Sequence, residues 1–136
     1  MPKKILVVED ERDIAHMIQF ALKGEGYEVV MASTGREALE KLFFEKPDLV
    51  VLDVVIPEID GLEVLKNLRQ NQATAKTPVI MLTGKTEEAD VTRGWKMGAD
   101  LYLAKPFDRM ELISCLERIF GDETSAFPPD PNNRAF

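Results

Sequence analysis

Apolar residues along the chain fall into two kinds of grouping. Ile5-Leu6-Val7-Val8, Val29-Val30, Leu49-Val50-Val51-Leu52 and Val79-Ile80-Met81-Leu82 are short continuous runs without apolar/polar alternation. Such runs suit strands buried on both faces of a parallel sheet. Leu101-Tyr102-Leu103-Ala104 is a fifth, weaker run. Between the runs the spacing turns helical. Ile14, Met17, Ile18, Ala21 and Leu22 share one helix face, and Gly24 to Gly26 stops that helix. Ala38, Leu39 and Leu42 mark a second helix, which the Lys46-Pro47 step ends. Asp60 can cap a third, with Leu62, Leu65 and Leu68 as its inner stripe. A fourth helix is predicted over Glu87–Met97, where only Val91 and Trp95 share an apolar face. Leu112, Ile113, Leu116, Ile119 and Phe120 define a fifth.

Five βα units in this length imply a parallel sheet with right-handed crossovers and helices on both faces. The domain is expected over 1–121. From 122 to 136 the residues, Pro128, Pro129, Pro131, Asn132 and Asn133 among them, carry no apolar period and read as a C-terminal tail or the start of a linker.

Composition narrows the chemistry. The chain has 136 residues, enough for one ordinary domain. Lys and Arg number 17 against 24 Asp and Glu, so the net charge is −7. That balance is unfavourable near nucleic acid or an anionic bilayer, so neither is expected as a direct partner. The longest uncharged stretch, Ile14 to Leu22, is far short of the ~18 residues needed to span a membrane. Glu9 interrupts the first apolar run too early for a signal peptide, and a cytoplasmic domain is expected. Cys115 is the single cysteine, which excludes an internal disulfide and any multi-cysteine zinc site. With one histidine as well, hard-cation sites are the ones left open.

In open α/β sheets, ligands bind outside the carboxyl ends of the strands. Glu9 and Asp10 follow the first buried run and Asp53 the third. Thr83 and Gly84 follow the fourth, Lys105 and Pro106 the fifth, while the second leads only into Ser33 and Thr34. Three carboxylates at one edge need a positive partner, and an oxygen-only donor set suits Mg²⁺ or Mn²⁺. A cation, a lysine and a hydroxyl around a carboxylate describe a phosphoryl pocket, with Asp53 able to act as nucleophile.

Each piece also has a plainer reading. Glu9-Asp10-Glu11-Arg12-Asp13 would serve to cap and charge a helix start. Thr83-Gly84 suits an ordinary turn and Lys105-Pro106 a loop boundary. His16 reads as a bystander, and Cys115 and Trp95 as packing, Cys115 half-buried. The plain readings do not explain why four strand ends carry complementary parts of one site.

Four motifs now stand in order: Val8-Glu9-Asp10-Glu11, Asp53 through Pro57 to Asp60-Gly61, Leu82-Thr83-Gly84, and Gly98-Ala99-Asp100 through Lys105-Pro106-Phe107. Together they resemble the receiver domain of two-component response regulators, from about Lys3 to Phe120. The resemblance implies a flavodoxin-like sheet of strand order 2-1-3-4-5. It implies that Asp53 accepts a phosphoryl group from a histidine kinase or a histidine phosphotransfer protein. Glu9, Asp10, Asp53 and the backbone carbonyl of Val55 would hold Mg²⁺. Lys105 would pair with the phosphoryl oxygens, and Thr83 would bond one of them. Tyr102 matches the aromatic that follows Thr83 inward. Lys105-Pro106 matches the family's cis peptide, and Pro57 and Gly61 its structural positions. The surface of the fourth helix, fifth strand and fifth helix would then change toward a downstream partner or output domain.

Departures from the pattern carry information. Leu101 and Cys115 stand where the winged-helix subfamily usually has an Asp and an Arg that bridge its activated dimer. A monomer, or at most a weak phosphorylation-dependent dimer, is therefore expected. Val55 and Lys85 flank the pocket where dephosphorylation is tuned, and valine cannot orient a water by hydrogen bonding. Val55 also occupies the place of the second Asp in aspartyl-phosphate phosphatases, so turnover as an enzyme is not expected. A small flavin binder would need a Ser/Thr/Gly-rich loop after the first strand, which is missing. A degenerate receiver acting as a phosphorylation-independent binding module is the alternative, against which stand Glu9, Asp10, Asp53, Thr83 and Lys105.

Overall fold

Successive side chains of a strand face opposite sides, so each continuously apolar run can serve two cores at once. In the computed structural model, which describes residues 2–84 and 98–121, the runs do this. Leu6, Val8, Val50, Leu52, Val79, Met81 and Tyr102 point into one core, and Ile5, Val7, Leu49, Val51, Ile80, Leu82 and Leu103 into the other.

The elements are β1 (Lys4–Val8), α1 (Arg12–Gly24), β2 (Glu28–Ala32), α2 (Gly35–Glu45), β3 (Leu49–Asp53), α3 (Gly61–Gln70), β4 (Val79–Thr83), β5 (Leu101–Ala104) and α4 (Arg109–Ile119). The strands form one parallel sheet in the order β2-β1-β3-β4-β5. Helices α2 and α3 cover the first core, through Ala38, Leu42, Leu62, Leu65 and Leu68. Helices α1 and α4 cover the second, through Ile18, Leu22, Leu112 and Leu116. The helix predicted over 87–97 and the tail predicted over 122–136 lie outside the described residues.

The predicted helix boundaries have local causes. Lys46, at φ 48°, ends α2 one residue before Pro47. Asp60 caps α3 by accepting from the Glu63 amide at 2.9 Å. β2 is longer than Val29-Val30 alone suggests, because all of its residues pair with β1 from Lys4 to Val8. At the other end of the sheet β5 pairs with β4, and Arg69 ties down the turn that leads into it. The Arg69 guanidinium donates to the Gly98 carbonyl (2.7 and 3.0 Å), to the Thr77 (2.6 Å) and Ala75 (3.2 Å) carbonyls, and to Asp100 Oδ2 (2.9 Å).

Candidate functional site

Strand register brings the polar residues to one edge in steps. Val8 pairs with Leu52, so Glu9 follows β1 at the level where Asp53 ends β3. Asp53 pairs with Leu82, and Thr83 with Ala104, which puts Lys105 next along the same rim. The ladder continues past the strands: the Glu9 amide donates to Ala32 (3.0 Å) and the Lys105 amide to Thr83 (2.7 Å). Glu9, Asp53 and Thr83 are buried, while Asp10 is exposed.

The acids meet as expected. One carboxylate oxygen each from Glu9, Asp10 and Asp53 lies within 4.8 Å of the others. Lys105 Nζ stands 2.6 Å from Asp53 Oδ2 and 3.1 Å from Glu9 Oε2. Asp53 Oδ1 accepts from the Val55 amide at 3.1 Å, and Glu9 Oε1 from the Glu11 amide at 3.1 Å. Burial, reinforced by the neighbouring Asp53 carboxylate and opposed by Lys105, pushes the Glu9 carboxyl up to about 7. Burial also works against the Lys105 ammonium, but Asp53 and then Glu9 outweigh it and hold its pKa above the ordinary lysine value.

The same geometry bears on both readings of the acidic run. The residue at the N-cap of α1 is Glu11, and it makes no side-chain capping bond; Asp13 alone lies in the first turn. Glu9 and Asp10 face the sheet edge and Asp53. Among the described residues, Glu9 Oε2 is buried without a hydrogen-bond partner, its nearest cation being Lys105. Three carboxylates face one ammonium here, and the all-oxygen donor set fits a hard cation that would balance them.

The loop from Val54 to Asp60 is fixed by backbone contacts. Gly61 donates to the Val54 carbonyl at 2.8 Å, and a Cβ at Gly61 would fall 2.1 Å from the Asp53 carbonyl oxygen. Only glycine permits that approach, which accounts for Gly61 as a structural position. Pro57 accepts from the Ile59 amide (2.9 Å), and between them Glu58 adopts φ 70°. The Val55 side chain is 62% exposed beside the pocket. The Lys105-Pro106 peptide is cis.

Tyr102, which the resemblance gives an inward move, is already fully buried among the residues facing α2 and α3. His16 is exposed. Cys115, expected half-buried, is 4% exposed and belongs to the core between the sheet, α1 and α4. Lys85 and Trp95 lie outside the described residues. Two features were not singled out from the sequence. One is a cavity of about 450 Å³ beside Lys105, lined by Ile14, Met17, Pro106 and Phe107. The other is the contact of Gly35 with the 57–59 turn; its only signal was a glycine directly after the capping Thr34.

A family model described as the response regulator receiver domain matches residues 5–117. The chain belongs to that family. The receiver domain is 47% identical over 128 residues to the alkaline phosphatase synthesis transcriptional regulatory protein PhoP of Bacillus subtilis. That alignment takes in 94% of this chain and 52% of the relative, so the chain spans about half of that protein's length. Among solved structures, the chemotaxis response regulator CheY4 of Vibrio cholerae superposes with a TM-score of 0.83 at 35% identity, covering 88% of this chain and 99% of that one. The receiver domain of the sensor histidine kinase PA1611 from Pseudomonas aeruginosa, which has a magnesium ion coordinated in its active site cleft, gives 0.82 at 30% identity over 90% of this chain and all of that one. The CheY-like fold and strand order expected from the sequence are those observed. Among the described residues, no helix is long and apolar enough to cross a membrane.

Proposed function

We propose that this receiver domain is a phosphorylation switch in which Asp53 takes a phosphoryl group from the phosphohistidine of a histidine kinase or phosphotransfer protein. The observation that carries the reading is the meeting of Glu9, Asp10 and Asp53 with Lys105 at one sheet edge, Lys105 Nζ being 2.6 Å from Asp53 Oδ2. The magnesium ion named for the PA1611 receiver supports the choice of cation. Glu9, Asp10, Asp53 and the Val55 carbonyl are the residues that would hold Mg²⁺, which when bound neutralises charge on the phosphoryl oxygens.

In the reaction an Asp53 carboxylate oxygen attacks phosphorus, forming a P–O bond as the P–N bond of the donor breaks. The departing imidazole keeps the electron pair and is protonated. Lys105, already paired with Asp53, turns its ammonium to the incoming phosphoryl oxygens. The apolar cavity between Ile14, Met17 and Phe107 adjoins Lys105 and has room for one or two apolar side chains of the donor protein beside the reacting histidine.

Phosphorylation adds roughly −1.5 to −2 charges, to which the Thr83 hydroxyl can move as a donor. Thr83 and Tyr102 lie on adjacent strands, Tyr102 pairing with Met81, so β5 receives the change. That change passes to β5 and α4 and, by the resemblance, to the fourth predicted helix outside the described residues, the surface a downstream protein or output domain reads. The domain works in the cytoplasm as a monomer or weak phosphorylation-dependent dimer, with no direct contact to nucleic acid. It is a switch and not a turnover enzyme, limited to taking up and slowly losing its own phosphoryl group.

Incubation with acetyl phosphate and Mg²⁺, followed by intact mass, tests this. One added phosphoryl group, lost without Mg²⁺ and in Asp53→Ala, is the expected result. No gain and no Mg²⁺ binding would favour a phosphorylation-independent binding module.

A further inference from the structure

The end of β2 contributes no charged group to the site, yet it is built against the loop that follows Asp53. Thr34 caps α2, its Oγ1 accepting from the Glu37 amide at 3.1 Å. This sets Gly35, the first residue of α2, directly on the 57–59 turn. The Gly35 amide donates to the Pro57 carbonyl at 3.1 Å. A Cβ at Gly35 would lie 1.9 Å from the Ile59 carbonyl oxygen and 2.7 Å from its carbon.

Gly35 does not lie in the left-handed region, and in a helix alanine would be favoured over glycine. Close approach is thus the reason for glycine here. The atoms it approaches are backbone and cannot rotate away. Helix α2 cannot easily retreat either, since Ala38 and Leu42 are buried in the core facing α2 and α3. A side chain at 35 must therefore push the turn outward, by about an ångström, before ordinary contact is restored. That turn belongs to the loop held at its start by the Val55 amide on Asp53 Oδ1 and at its end by the Gly61 amide on the Val54 carbonyl.

We propose that Gly35 is a positioning residue for the phosphoryl site: α2 presses on the 57–59 turn through Gly35 and so fixes the Val55 carbonyl relative to the Asp53 carboxylate. The proposal rests on the reading of Asp53 as a Mg²⁺-dependent phosphoryl acceptor. A displacement of this size in a site held to about half an ångström costs orders of magnitude in binding or rate.

The test compares Gly35→Ala with Gly26→Ala by calorimetric Mg²⁺ titration, thermal unfolding and acetyl phosphate uptake. Gly26 has φ 91°, and a Cβ placed there would meet no atom of the described residues within 4 Å, so its substitution strains the backbone without touching the site. Gly35→Ala should bind Mg²⁺ at least tenfold more weakly and take up phosphoryl correspondingly slowly at low Mg²⁺, recovering as Mg²⁺ rises. Gly26→Ala should bind Mg²⁺ as the wild type does. Mg²⁺ affinity within twofold of wild type in Gly35→Ala, or equal weakening in both variants, would overturn the proposal. A readout on the wild-type chain guards against a variant that fails to fold. Coupling is reciprocal, so saturating Mg²⁺ should slow hydrogen exchange of the Gly35 amide several-fold and leave that of Gly26 unchanged. An unresponsive Gly35 amide in a chain that binds Mg²⁺ would overturn this proposal alone. A wild-type chain that binds no Mg²⁺ would overturn the functional reading with it.

Discussion

Lys105 Nζ bridges Asp53 and Glu9, 2.6 Å from Oδ2 of the first and 3.1 Å from Oε2 of the second. The ammonium reaches this position from the far end of the chain, because the sheet order places β5 two strands from β3 and the Lys105 stem spans the rest. It is the internal counter-charge of a site with three carboxylates.

Replacing Lys105 by Met leaves the Glu9 and Asp53 carboxylates buried and facing each other. In metal-free buffer we expect a loss of about 2–3 kcal/mol of stability, since removing one partner of a buried pair is costly. Mg²⁺ should recover more of that loss in Lys105→Met than it adds to the wild type. Phosphoryl uptake should fall about tenfold or more. Urea unfolding with and without Mg²⁺, beside acetyl phosphate uptake, checks both expectations.

Val55 is exposed beside Asp53 and offers no side-chain hydrogen bond to an attacking water. The phosphoryl form should therefore persist for minutes to hours in Mg²⁺ buffer. Val55→Asn should shorten its lifetime several-fold. The decay of the added mass after removal of the donor measures this, and a wild-type half-life of seconds would refute it.

Arg69 acts at the opposite edge of the sheet from Asp53. Arg69→Met removes the bonds to Gly98, Ala75, Thr77 and Asp100 and leaves Asp100 Oδ2 to the Val79 amide at 2.8 Å. Charge-assisted bonds of this kind are worth ~1.5–3 kcal/mol each before compensation by water, so a net loss of about 2–3 kcal/mol is expected. Phosphoryl uptake should change by less than twofold. Unfolding and uptake measured on the same preparation separate the two effects.

Cys115 gives a pH signature. Burial pushes its thiol up to about 11 from an ordinary 9.0. The folded chain therefore keeps the proton after the unfolded chain has released it. The contribution to stability is whole below pH 9 and is lost as pH rises through 9 toward 11. Urea midpoints should fall more steeply over that window in the wild type than in Cys115→Ala. A thiol reagent at pH 8 should modify Cys115 only on unfolding.

The fold was legible because parallel strands buried on both sides leave continuous apolar runs, and the polar residue after each run is the one the fold puts at the rim. Asp53 after Leu49-Val50-Val51-Leu52 is the clearest case. β2 was under-read at Val29-Val30 because it is a half-exposed edge strand, ordered by its register with β1. Glu9 was ambiguous between cap and site because its carboxylate serves both places: Oε1 accepts from the Glu11 amide at the start of α1, while the group lies beside Asp53 and Lys105. Gly35 and Arg69 were not legible, since each acts on a backbone carbonyl distant in sequence, that of Ile59 or Gly98, and no local period marks such contacts.

The most direct measurement is the chemical identity of the modified residue. After acetyl phosphate and Mg²⁺, borohydride reduction of an aspartyl phosphate leaves homoserine, which peptide mass spectrometry can assign. Homoserine at position 53 alone, absent without Mg²⁺, is the predicted result. Reduction at another carboxylate, or a phosphoryl gain that survives in Asp53→Ala, would contradict the account.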